Sequence, residues 1–378
     1  MVPIFDLHAD VFMDLVRRAE ARNAENCDAA LCDIDELETR HLERIKAGGI
    51  FGAVFTDCRM AGETAEPVHL ERFIATVRRE LAAAGAAEGA ATGAGKGAEA
   101  PSRREATPDG GAGCGQRRPA APEATPRFIH ARSAADIGRA LSEGAFAAIV
   151  GYEGLSATKG DLGWIHRLYE EAGLRLAVLT HNDDNPFGGG AFGVRGSLPT
   201  QEALGLTEKG REAVALMNEL GILIDMSHAG KATRRDILRA STRPVMLSHT
   251  SAKAVYDNGR NLSDEELRAI ANSGGLVGCM TSPAALAPIS DRGHHNLERY
   301  IEHLKRMIAA AGIDHVGLGL HFCEYLYTPE DYPPVAGLED ASKAQAIPEA
   351  LLAAGFSEDE VEKIAWKNFA RTFAQAVG

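Results

Sequence analysis

The chain has 378 residues, 45% of them hydrophobic and 25% charged, the balance of an ordinary globular protein. Its 40 Lys and Arg against 53 Asp and Glu leave a net charge of −13. That excludes a polyanion as main partner, because nucleic-acid binding rests on a basic face that neutralises phosphates. No uninterrupted apolar run is long enough to span a bilayer, so no membrane association is expected. The start, Met-Val-Pro-Ile-Phe-Asp-Leu-His, lacks the basic and apolar regions of a secretory signal. Six cysteines (Cys27, Cys32, Cys58, Cys114, Cys279 and Cys323) show no paired spacing and read as reduced thiols, which predicts a cytoplasmic protein.

Taken in chain order, short apolar runs of β type recur at Ile4–Leu7, Ile50–Phe55, Phe146–Tyr152, Leu174–Leu179, Ile222–Met226, Val245–Leu247, Leu276–Met280 and His315–Leu320. Helical patterns separate them. Thr207 caps a helix over 208–220, Ser263 with Glu266 makes a capping box before Leu267–Ile270, and Ser357 with Glu360 repeats it before Val361–Phe373. One segment stands apart. Between Ala82 and Pro126 there is no Leu, Ile, Val, Phe, Met, Trp or Tyr; 24 of these 45 residues are Ala or Gly and five are Pro. Such a stretch cannot bury enough apolar surface to offset the entropy of ordering it. Residues 82–126 are therefore expected to form a flexible surface insertion, its alanine-rich start extending the preceding helix, with a lid as the alternative role. Eight continuous apolar strands alternating with helices predict a parallel sheet covered on both faces, closed into a (β/α)₈ barrel that makes one domain over 1–378.

The strand ends carry the chemistry. The first run leads to His8 and Asp10, the third to Glu153, the fourth to His181, the fifth to His228, the sixth to His249 and the eighth to His321. In such a barrel the C-terminal strand ends meet at one mouth, so five imidazoles and two carboxylates on six strands predict a metal site. Imidazole with carboxylate and no cysteine in register suits zinc or another divalent first-row ion. His8 and Asp10, two apart, can grip one ion and His228 with His249 a second, while Glu153 has two oxygens with which to bridge them. Water shared by such ions ionises near neutral pH, which would hydrolyse an amide, an ester or a phosphoester.

Asp6-Leu7-His8-Ala9-Asp10, Gly151-Tyr152-Glu153-Gly154, Leu179-Thr180-His181-Asn182, Leu206-Thr207-Glu208-Lys209-Gly210, Gly221-Ile222-Leu223-Ile224-Asp225-Met226-Ser227-His228 and Leu247-Ser248-His249 together resemble the membrane (renal) dipeptidase family of zinc peptidases. The tail from Gly355 to Phe369 is similar as well. The resemblance implies a TIM-like barrel of the metal-dependent hydrolase type with two divalent ions, expected to be Zn²⁺. His8, Asp10 and Glu153 would hold one ion and Glu153, His228 and His249 the other. It further implies that His181 contacts the substrate and polarises its carbonyl, that Arg260 holds the substrate's free α-carboxylate, and that the chains pair as homodimers. Glu153, His181 and His321 are the expected catalytic residues, with His181, Arg260 and His321 binding substrate.

One stretch departs from that family, which reads Gly-x-Gly-x-Asp-Phe-Asp-Gly after the last strand. Here stands Gly317-Leu318-Gly319-Leu320-His321-Phe322-Cys323-Glu324. The Asp replaced by His321 would meet the substrate's free amino group. Imidazole can exchange protons near pH 7 but is a poorer partner for an ammonium, unless Glu324 supplies the charge. The main expectation is hydrolysis of a dipeptide or dipeptide-like amide. Cleavage of another amide, a lactam or a lactone is the alternative, and a non-catalytic metal-binding role the least favoured. Among lesser candidates, Asp57 reads as a solvated loop acid or a pocket liner and Asp225 as a support behind the site. The Asp183–Gly190 stretch reads as a flexible loop at the mouth, and His294 with His295 as surface.

Overall fold

A computed structural model describes residues 1–24, 37–59, 66–92, 128–191 and 204–378. Among these residues nine parallel strands form one sheet: β1 (Ile4–Ala9), β2 (Ile50–Phe55), β3 (Phe128–His130), β4 (Phe146–Glu153), β5 (Leu174–Val178), β6 (Leu223–Asp225), β7 (Met246–Thr250), β8 (Leu276–Cys279) and β9 (Val316–Leu318). Eight of them follow one another around a nearly closed barrel in the order β1-β2-β4-β5-β6-β7-β8-β9. All eight expected runs are present. The ninth strand, β3, went unrecognised because it is three residues long and sits directly after the low-complexity segment. It pairs with the first residues of β4, while β5 pairs with β4 from Val150 onward.

Closure between β9 and β1 rests on a buried carboxylate. The Leu320 N–H donates to Asp6 Oδ1 over 2.8 Å and the His321 N–H to the His8 carbonyl over 3.1 Å. Burial pushes the Asp6 carboxyl up to about 7, against the backbone N–H groups of His8 and Leu320 that pull it down.

Two apolar layers flank the strands. Phe5, Leu7, Val54, Ile149, Leu176, Leu223, Met246 and Leu276 fill the interior, and Phe369 and Phe373 of the C-terminal helix Asn368–Ala376 plug its floor, Phe369 stacking on Phe5 at 4.5 Å between ring centres. The alternate residues pack outward under the helices. Those helices start where the sequence predicts. The Thr207 hydroxyl accepts from the Gly210 N–H, and reciprocal capping boxes stand at Ser263/Glu266 and Ser357/Glu360. The helix Pro67–Thr92 runs well into the Ala/Gly-rich segment, as alanine's helix propensity allows; residues 93–127 lie outside the described residues, and so does the greater part of the expected insertion.

Interior glycines fix how closely the strands approach. A Cβ on Gly278 or Gly319 would run into the Ser248 carbonyl. Gly319→Ala is therefore expected to destabilise the fold by about 3 kcal/mol, read as a lowered denaturation midpoint at unchanged m-value. An unchanged midpoint would show that the barrel can open there.

Candidate metal centre

Local backbone irregularities, more than regular pleating, aim the polar groups at the mouth. On β1, Phe5 and Leu7 face the interior but Ala9 packs outward, and the pairing with β2 is irregular between Asp6 and Ala9. That reversal turns His8 and Asp10 inward together. The same happens on β7: Met246 faces inward, Leu247 outward, and an irregular register before Thr250 brings His249 around. His228 and His321, each three residues beyond their strands, have φ values of 63° and 55°. Left-handed backbone is costly for a residue with a Cβ, and its presence at both imidazoles marks strain held in place at a site.

The groups so aimed form one cluster, almost wholly buried. Glu153 lies at its centre. Its Oε1 is 3.2 Å from His228 Nε2 and 3.5 Å from His249 Nε2, while its Oε2 is 3.9 Å from His8 Nε2 and 3.7 Å from His181 Nε2. Asp10 Oδ1 stands 3.2 Å from His8 Nε2 and accepts a hydrogen bond from the Thr56 hydroxyl at 3.1 Å. Among the described residues five groups of three have ligand atoms within 4.8 Å of one another, two of them being His8/Asp10/Glu153 and Glu153/His228/His249. These two share Glu153.

Electrostatics favour cation binding here. Burial holds His228 and His249 well below the ordinary imidazole range, with the Arg260 charge adding to the effect on both. Burial likewise takes His181 down to about 3, and His321 to about 4 although Asp10 opposes the shift. Neutral imidazoles have lone pairs to give. His8 differs: burial pulls it down, but the Glu153 and Asp10 charges outweigh burial and bring it to about 9. Burial raises Glu153 to about 7 against the pull of His8. Glu153 Oε1 and His8 Nδ1 are buried with no hydrogen-bond partner. A buried polar atom left so is costly, and a cation would satisfy the carboxylate.

Other residues support or border the cluster. Asp225 stands behind it, Oδ1 accepting from the Ser227 N–H (2.9 Å), the Ser227 hydroxyl (2.8 Å) and the Ser248 N–H (3.0 Å). The Ser248 hydroxyl is 2.8 Å from His249 Nδ1, and Asn182 Oδ1 is 2.7 Å from His228 Nδ1. Arg260 Nη1 also reaches His228 Nδ1, at 3.0 Å. Beside them lies a cavity of about 290 Å³ lined by His249, Arg260, Met280, Ser282 and His321, among others.

The sequence reading missed Thr56, Asn182 and Cys323. Asn182 follows His181 and Thr56 follows β2, but neither residue type alone marks a site. Four lesser expectations need correction. Asp57 is not solvated: it is buried with its carboxylate 2.7 Å from His69 Nε2, on the helix Pro67–Thr92 just across the loop. His295 is buried, unlike the exposed His294. Glu324 is engaged by Arg44 at 2.6 Å and so does not replace the missing acid. The 183–190 loop is tied down, with the Gly190 N–H donating to Asp184 Oδ1 and the Asn185 side chain to the Leu179 carbonyl.

Comparison with known proteins gives one consistent result. The sequence profile of the membrane dipeptidase family (peptidase family M19) matches residues 118–377. An uncharacterized dipeptidase of Schizosaccharomyces pombe is 35% identical over 203 residues, 53% of this chain and 46% of its own length, so the match spans about half of that relative. Two solved structures share the fold. A dipeptidase of family M19, dipeptidase AC, superposes with a TM-score of 0.74 at 24% identity over 100% of this chain and 99% of its own. A metallopeptidase of Rhodobacter sphaeroides, solved with a phosphinate mimic of the dipeptide L-Ala-D-Ala, gives 0.73 at 23% identity over 99% of each chain.

Proposed function

The chain belongs to the membrane dipeptidase family, peptidase family M19, and from that premise we propose that it is a metal-dependent dipeptidase holding two divalent ions, zinc foremost. The observation that carries the reading is the position of Glu153, one carboxylate oxygen toward the His228/His249 pair and the other toward His8. His8, Asp10 and Glu153 would hold one ion and Glu153, His228 and His249 the other. Bound there, such ions supply Lewis acidity and ionise water at neutral pH.

The protein's own groups do the rest. A neutral imidazole that gives its Nε2 lone pair to a ligand carries its proton on Nδ1. For His228 that proton points to Asn182 Oδ1, which fixes the ring. Arg260 then has no acceptor at His228 Nδ1, and its guanidinium faces the cavity free to bind a substrate carboxylate in fork geometry. Burial and the Glu153 charge set its strength: burial brings Arg260 down to about 10, still charged at neutral pH. His181, neutral and 3.7 Å from Glu153 Oε2, would donate to the carbonyl oxygen as it gains charge. Zinc-loaded protein is expected to hydrolyse L,L- or L,D-dipeptides and to lose that activity on chelation. Absence of turnover across a panel that includes N-acyl dipeptides would contradict the assignment.

A second reading follows from His321. It stands 3.5 Å from Asp10 Oδ2, where the family carries an acid, and Glu324 is held by Arg44. A substrate with no free ammonium, such as an N-substituted dipeptide, a lactam or a lactone, suits that wall better. His321→Asp should then raise kcat/KM on free-amino dipeptides about tenfold, the effect of one added ion pair, and lower it on N-acyl forms. No change on either would remove His321 from substrate selection. The thiols of Cys58, Cys279 and Cys323 are free and buried, which supports a reducing, cytoplasmic setting. No helix among the described residues is long and apolar enough to cross a membrane. A homodimer belongs to the same reading by its family membership.

A further inference from the structure

Asp10 repeats the two-sided arrangement of Glu153. Its Oδ1 faces His8 and Thr56, while its Oδ2 faces the other way, 3.5 Å from His321 Nε2 and 3.6 Å from Cys323 Sγ. Cys323 Sγ is also 3.3 Å from His321 Nδ1. One ligand atom from each of Asp10, His321 and Cys323 lies within 4.8 Å of the others. Donors held at about 2.0–2.3 Å from a tetrahedral ion are themselves about 3.3–3.8 Å apart; an ion takes one nitrogen of His321, Nε2 toward Asp10 or Nδ1 toward Cys323, and with either two of the three separations fall in that range. Asp10 and Cys323 are buried and His321 is largely so.

We propose that Asp10, His321 and Cys323 form a third cation site, next to the Glu153-centred pair and selective for a thiophilic divalent ion such as zinc or cadmium. It goes beyond the two-ion dipeptidase reading, with which it shares Asp10 as a ligand and His321 as a residue of the substrate wall. One oxygen, one imidazole nitrogen and one sulfur would leave a fourth ligand to water, and His321 borders the cavity beside the site. Thiolate is the softest donor the protein offers and separates this position from the two oxygen- and nitrogen-bound ones. Ligation breaks the Cys323 S–H bond, forms a metal–sulfur bond and passes the proton to solvent. His321 has a left-handed φ of 55°, and its ring lies beside the thiol two residues on.

Cadmium titration of the metal-free chain tests this. The chain carries Cys27, Cys32 and Cys114 as serine, so that only Cys58, Cys279 and Cys323 remain to give a sulfur-to-metal absorption band. Three cadmium ions per chain are expected, with one equivalent of thiolate band. Cys323→Ala should take two ions and lose the band, whereas Cys58→Ala should keep three ions and the band. Circular dichroism and the two retained ions show that Cys323→Ala is folded. Two ions with no band in the parent chain, or a band that survives Cys323→Ala, overturns the third site and leaves the two-ion reading intact. Fewer than two ions in the parent chain overturns both.

Discussion

Glu153→Gln is expected to lower kcat/KM on dipeptides by about 10³-fold or more and to take the metal bound at the two Glu153-centred groups from two ions per chain to below one. The glutamine is close in size but neutral and presents a single carbonyl oxygen. It cannot offer an anionic acceptor to His228 and His249 on one side and to the His8 side on the other, where Glu153 stands 3.2 Å from His228 Nε2 and 3.9 Å from His8 Nε2. Removing one charge from a buried, paired arrangement costs about 3–5 kcal/mol, and here the loss falls on two ligand groups at once. Elemental analysis with steady-state kinetics checks it. Full metal content with full activity would show that Glu153 is not shared.

Arg260→Met should erase the preference for a free C-terminal carboxylate. The substitution keeps a long side chain and removes the fork that faces the cavity. Loss of one partner of a buried charge pair costs about 2–5 kcal/mol, so kcat/KM on a dipeptide should fall by about 10²–10³-fold, while the corresponding dipeptide amide changes little. The ratio of the two substrates is the readout, because a general structural defect would lower both together. Equal losses on acid and amide would assign Arg260 to the support of His228, which it approaches at 3.0 Å, rather than to substrate.

Much of this architecture was legible in the chain itself. Strands such as Ile50–Phe55 announce themselves because a barrel strand buried on both faces must be apolar throughout, and the polar residue that ends each run is visible for that reason. What a two-residue period does not reveal is which way those residues turn. On β1 regular pleating would set His8 and Asp10 opposite Phe5 and Leu7; the irregular register before Ala9 brings them to the interior. The left-handed turns at His228 and His321 are likewise invisible when the residue is not glycine. Asp57 misled because its partner His69 lies on a helix across the loop, a pairing that only the packing creates. Cys323 was passed over because its place beside Asp10 and His321 depends on the conformation of a loop after the last strand.

Anomalous diffraction from crystals of the zinc-loaded protein tests the central claim most directly. Two zinc peaks on opposite sides of the Glu153 carboxylate are predicted, one beside His8 and Asp10 and one beside His228 and His249. A single peak beside Glu153, or none there, would contradict it.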